Sequence, residues 1–180
     1  TALGYASLGA NTTGRYNTAT GAYALSANIG GDGNTAIGDE ALEINTEGDY
    51  NTAIGLQALE ANLTGLSNTA IGSEALLKNK GSYNTAIGSE ALQENTTANN
   101  NIAIGSESLE ANTIGTRNIA IGINALDAAD EESDNLAIGY DALGGDISGG
   151  EISTQNVAIG NYSMDANTSG KYNTAVGYNS

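Results

Sequence analysis

The sequence predicts an all-β fold, a parallel β-solenoid or β-roll of about eleven coils of seventeen residues. Three observations predict it. The motif Asn-x-Ala-Ile-Gly, or a close variant, recurs along the whole chain at nearly constant spacing. Within the motif, residue character alternates with a period of two, which is the period of a strand and not of a helix. Each motif ends on Gly and is followed by a stretch rich in Asn and Gly, residues that let a backbone turn sharply.

The repeat sets the frame for every other feature of the chain. The motif begins at Asn17, Asn34, Asn51, Asn68, Asn84, Asn101, Asn118, Asn135, Asn156 and Asn173. The steps between copies are 17, 17, 17, 16, 17, 17, 17, 21 and 17 residues. Thr1-Ala2-Leu3-Gly4 is a further copy without its Asn. A single array therefore fills residues 1–180. The long step is an insertion across Gly144–Gln155 and reads as an enlarged loop. No terminal cap is visible. Uncapped solenoid ends pair with other strands, so the array is expected to be a segment of a longer fibre or to stack on another subunit.

Positions within a coil are counted here from the motif Asn. Positions 1 to 5 are expected to form a short strand closed by the Gly of position 5, which stands in every copy from Gly4 to Gly177. A second short strand is expected around positions 8 and 9, as at Ala41-Leu42 and Ala58-Leu59. Position 9 is Leu from Leu8 to Leu143 and then Met164. Position 12 is usually Asn, and a turn is expected from there to position 15, since Asn and Gly tolerate left-handed backbone angles. One coil buries too few apolar side chains to offset the entropy of ordering it, so only stacking stabilises the fold. At about 4.8 Å per coil the array makes a rod roughly 50 Å long.

Position 2 interchanges Thr (Thr18 to Thr85) with Ile102, Ile119, Leu136 and Val157, which reads as a buried or half-buried β site sharing its face with the aliphatic position 4. Positions 1, 3 and 5 then form a second face of Asn, Ala and Gly that does not vary in the ten full copies. A small, invariant face suggests the close approach of another backbone, that of an identical chain; the alternative is that coil curvature dictates Ala. Ala36, Ala53, Ala70, Ala86, Ala103, Ala120 and Ala137 are accordingly the candidate inter-chain packing face. Asparagines at positions 1 and 12 form two ladders whose stacked amides are expected to hydrogen-bond from coil to coil.

Composition narrows the function. There is no His or Cys, so the usual general bases and thiol nucleophiles are missing, and no enzyme activity is expected. A net charge of −16 repels phosphate backbones, which argues against nucleic acid as a partner. No apolar run is long enough to insert in a membrane.

The Asn-Thr-Ala-Ile-Gly strands, followed by Ala-Leu and a Gly- or Asn-rich turn, resemble the head repeats of trimeric autotransporter adhesins. Similar repeats occur in bacteriophage tail-fibre proteins. The resemblance covers essentially the whole chain. It implies a left-handed parallel β-roll, three chains around one axis, and a place on a cell or virion surface. The period of seventeen is somewhat long for that family, and no membrane anchor or coiled-coil stalk is present in these residues.

Several residues are candidates for chemistry. Sequons mark Asn11, Asn62, Asn95, Asn161 and Asn167 as candidate glycosylation sites in an extracellular setting. Asp130, Glu131, Glu132 and Asp134 share one loop and are candidate oxygen ligands for Ca²⁺, although no other coil repeats them. Tyr16, Tyr50, Tyr83 and Tyr172 at the loop ends are expected to pack over coil edges or against a partner chain, with stacking on sugars as the alternative. The reading is an extracellular structural or adhesive fibre segment that self-associates, as a homotrimer or an end-to-end filament. A phage tail fibre or receptor-binding module for a host surface or glycan, with its ligand patch in Gly144–Gln155, is the alternative. An ice-binding solenoid ranks behind both.

Overall fold

The structure is a computed structural model that describes residues 1–128, 130–145 and 153–180. It is a β-solenoid with one strand per coil. The strands are β1 (Ala2–Leu3), β2 (Thr18–Thr20), β3 (Thr35–Ile37), β4 (Thr52–Ile54), β5 (Thr69–Ile71), β6 (Thr85–Ile87), β7 (Ile102–Ile104), β8 (Ile119–Ile121), β9 (Leu136–Ile138), β10 (Val157–Ile159) and β11 (Thr174–Val176). They lie in chain order in one parallel sheet. Each Ala of position 3 pairs with the Ala of the next coil, as in Ala36 with Ala53 and Ala53 with Ala70. The register survives the unequal steps: Thr69 pairs with Thr85 across the 16-residue coil, and Leu136 with Val157 across the 21-residue one. Of the insertion, residues 146–152 lie outside the described residues.

The expected second strand is not formed. Positions 8 and 9 are both buried, as at Ala41 and Leu42, which a strand with one face to solvent cannot arrange because its successive side chains point to opposite faces. The backbone there is a run of turns. Positions 7 and 9 have left-handed angles, with φ of 58° at Glu40 and 53° at Leu42. Such angles cost an L-residue about 1–2 kcal/mol each. The N–H of Glu40 donates to Ala22 O in the preceding coil at 2.9 Å, and that of Leu42 donates to Ala58 O in the following coil at 3.0 Å. Alternating the hand of the backbone points successive peptide groups up and down the stack, so a region that is not a strand still satisfies its donors between coils.

The expected left-handed residues at positions 12 to 15 are also displaced. Left-handed φ falls instead at positions 5, 7, 9 and 17, for example at Gly38, Glu40, Leu42 and Tyr50. Position 5 needs Gly twice over. Gly105 has φ of 136°, and a Cβ on it would stand 2.3 Å from Gly122 O. At position 17 the ring of Tyr50 lies over Gly33, where a Cβ would meet its Cδ1 at 2.7 Å. Tyr50 thus packs over a coil edge, as anticipated for the loop-end tyrosines.

Candidate functional site

The interior is narrow, and its width decides which face of the strand turns inward. Ala36, Ala53, Ala70, Ala86, Ala103, Ala120 and Ala137 are all 0% exposed in the isolated chain. No second chain can reach them, so they are core residues and not an inter-chain face. They pack against Leu25, Leu42, Leu59, Leu76, Leu92 and Leu109, the large apolar side chains of the interior. Ala is invariant because the Leu of position 9 leaves room for nothing larger.

Asparagine fills the rest of the interior. Asn34, Asn51, Asn68, Asn84, Asn101 and Asn118 of position 1 are 0% exposed. The Oδ1 of each accepts the backbone N–H of the next: Asn51 N–H donates to Asn34 Oδ1 at 2.8 Å, and Asn68 N–H to Asn51 Oδ1 at 2.9 Å. The Nδ2 donates to the carbonyl of position 15, as from Asn34 to Gly48 O at 2.7 Å. At position 12, Asn45 Nδ2 donates to Asn28 Oδ1 at 2.8 Å and to Gly48 O at 3.0 Å. The two expected ladders are present. They put polar groups in the core at little desolvation cost, because the ladder amides are satisfied by their neighbours, with the exception of Asn112 Oδ1.

This closes two of the five sequons. Asn62 and Asn95 are fully buried, and the Nδ2 of Asn62 is committed to Asn45 Oδ1 at 3.0 Å and Gly65 O at 3.1 Å. Neither is open to a glycan in the folded coil. Asn11 and Asn167 are half-buried members of the same position, donating to Gly14 O at 3.0 Å and Ser153 Oγ at 2.9 Å. Asn161 differs: it is exposed, sits at position 6, and uses its Oδ1 to accept from Tyr140 N–H at 3.0 Å.

The four acids of the Asp130–Asp134 loop do not converge on one point. Asp134 takes both Nε and Nη2 of Arg117, at 2.6 and 2.8 Å. That pairing holds its carboxyl below the usual carboxylate range and raises the guanidinium. Asp130 accepts the hydroxyl of Thr113, and Glu131 points to solvent. Glu132 turns inward, is 4% exposed, and accepts the Glu131 N–H at 3.0 Å. Among the described residues no group of three or more acids is placed to hold a metal ion.

The face left over is the outer side of the sheet. Positions 2 and 4, expected to be buried, point outward. Ile37 is 41% exposed, Ile102 37% and Ile121 37%. From β2 to β6 position 2 presents Thr, and from β7 to β10 it presents Ile102, Ile119, Leu136 and Val157. Position 4 is aliphatic beside it from Ile37 to Val176. No charged residue occurs at positions 1 to 5 in any coil, in a chain with 21 acidic residues. The acids gather elsewhere. Glu60 is held above its ordinary value, first by partial burial and then by Glu40, Glu43 and Glu74. Glu110 is raised in the same way, by burial and then by Glu107, Glu90, Asp127 and Glu94. The rod therefore has one charge-free apolar stripe and an acidic edge. This stripe is the arrangement the sequence reading missed; the absence of charge from positions 2 and 4 in every coil was its signal. No family model, curated protein or solved structure matches the chain.

Proposed function

We propose that this chain is a non-enzymatic segment of an extracellular structural or adhesive fibre that self-associates through the outer face of its sheet. The observation that carries the reading is the uncharged stripe of Thr and aliphatic side chains along eleven parallel strands. A contiguous apolar surface of this length marks a place where another surface packs. Two copies of a chain with a net charge of −16 repel each other almost everywhere, and the stripe is where they can meet without bringing carboxylates together. The resemblance to adhesin head repeats sets the expected number of chains at three, with Ile104 and Ile121, not Ala103 and Ala120, toward the common axis. A bacteriophage fibre is the alternative setting for the same assembly.

Sedimentation equilibrium and electron microscopy of the wild type test this. The expected result is a trimer with three-fold symmetry. An Ile104→Glu/Ile121→Glu variant is expected to sediment as a monomer with an unchanged far-ultraviolet circular dichroism spectrum. A wild type that remains monomeric at high concentration would overturn the self-association reading.

One observation favours a second reading. Thr18, Thr35, Thr52, Thr69 and Thr85 stand outward in one column, in register along β2 to β6. A regular hydroxyl array on a flat sheet can order water against a crystal face. Thermal hysteresis in the wild type, lost in a Thr52→Lys/Thr69→Lys variant, would favour ice binding over fibre formation.

A further inference from the structure

The asparagine ladder of position 12 is continuous from Asn11 to Asn112 and then stops. Each link below that point is made, as in Asn62 to Asn45 at 3.0 Å and Asn112 to Asn95 at 3.2 Å. The next coil carries Ala129 at this position, which has no amide to offer. Asn112 is 0% exposed, yet its Oδ1 has no hydrogen-bond partner. The same coil differs in two further ways. At position 15, where Gly48, Gly65 and Gly115 stand elsewhere, it carries the buried Glu132. At position 10 it carries Asp127, whose Oδ1 is also buried without a partner. Beyond the gap the interior is rebuilt with a hydroxyl. Ser153 Oγ accepts from Asn156 Nδ2 and Asn167 Nδ2, both at 2.9 Å, and donates to Gly170 O at 3.1 Å.

We propose that the coil formed by residues 118–128 and 130–134 is a joint that divides the stack into two separately opening blocks, and that protons close it. A buried polar atom without a partner costs about 1–3 kcal/mol. One such atom, Asp127 Oδ1, and an inward carboxyl lie in this coil, and a second, Asn112 Oδ1, faces it from the coil before, whereas the amides of the coils from Asn28 to Asn95 are satisfied. Opening here gives Asn112, Asp127 and Glu132 to water at once.

Charge sets the direction of the proton effect. The charged groups acting on Asp127 among the described residues are Glu107 and Glu110 from the preceding coil and Asp141 from the following one, while the carboxyl of Glu132 accepts backbone hydrogen bonds from Asp130, Glu131, Glu132 and Ser153. Asp130, Glu131 and Asp134 belong to the joint itself. Arg117 is engaged by Asp134, so what remains is acidic. Burial is the main cause that pushes the carboxyls of Glu132 and Asp127 up, with Asp141 adding to it at Asp127. The closed joint therefore holds these protons more tightly than the open one. As pH rises through the raised closed-state values, the open form gains.

Native-state hydrogen exchange on the whole chain tests this, with rates corrected for the intrinsic effect of pH. The probes are Thr113 N–H, which donates to Asp130 O, and Asp134 N–H, which donates to Thr116 O. Their references are the equivalent amides of Thr46 and Tyr50. The joint amides are expected to be less protected than the references, and the gap is expected to widen by at least about threefold from pH 5 to pH 7.5. In an Asp127→Asn/Glu132→Gln variant the widening is expected to vanish. Equal protection at joint and reference amides would overturn the joint. A gap that does not change with pH in the wild type would overturn its control by protons, whether or not the variant folds.

Discussion

At the scale of the residue, each invariant position answers to a distance. The Gly of position 5 combines a left-handed φ with a carbonyl one coil away that excludes any side chain, as at Gly105. A Gly105→Ala substitution is expected to cost more than about 3 kcal/mol, because neither the angle nor the neighbouring backbone can yield cheaply. Urea denaturation of the variant against the wild type measures this. The Gly of position 15 has a different reason. Gly48 lacks a left-handed φ, but a Cβ there would lie 2.3 Å from Asn45 Oδ1 and 2.6 Å from Gly65 O. It is small so that its carbonyl can sit between two interior amides.

At the scale of the coil, the start of every repeat, the parallel stacking of its first strand and both asparagine ladders were legible in the sequence. Which strand face turns inward was not. The sequence argument assigns the varying aliphatic column of Ile102, Ile119 and Leu136 to the core and the invariant Ala column to the outside. In a globular core, aliphatic residues interchange because neighbours can adjust. In a coil this narrow the interior admits only Ala beside Leu, and invariance is the mark of confinement. The expected strand at positions 8 and 9 failed for a related reason. Adjacent buried residues such as Ala41 and Leu42 need an alternating backbone hand, and nothing in the composition of Glu40 or Leu42 announces a left-handed angle. The corrected orientation separates two neighbouring substitutions. Ala103→Leu is expected to destabilise the chain by several kcal/mol through overpacking, whereas Ile104→Glu is expected to leave its thermal midpoint nearly unchanged as a monomer. Calorimetry of the two variants decides which face is inside.

At the scale of the whole molecule, charge governs stability. The chain carries 21 acidic residues against five basic ones. Burial raises the carboxyls of Glu60, Glu110, Asp127 and Glu132 in the folded state. A raised folded-state value means that the fold binds the proton more tightly than the unfolded chain. That contribution is fully present below the ordinary carboxyl value and is lost as pH rises through the raised one. Asp134 works the other way, but its exposed pairing with Arg117 is a surface contact of little weight. The urea midpoint is therefore expected to fall as pH rises from about 5 to 7.5, and added salt is expected to recover part of the loss by screening. A midpoint that instead rises over this range would contradict the assignment of these four carboxyls.

The strict register across coils of 16, 17 and 21 residues has a consequence for length. Because each coil of the run before Asn118 offers its upper neighbour the same groups it accepts from below, any coil of that run can follow any other. Excising Asn51–Ser67 would join Tyr50 to Asn68 and set β3 directly against β5, again Thr to Thr, Ala to Ala and Ile to Ile. Such a deletion is expected to fold and to shorten the rod by about 4.8 Å, a change that small-angle X-ray scattering can read. The molecule works as a ruler marked in whole coils, and unequal recombination between near-identical repeats would change its reach without redesigning a single contact.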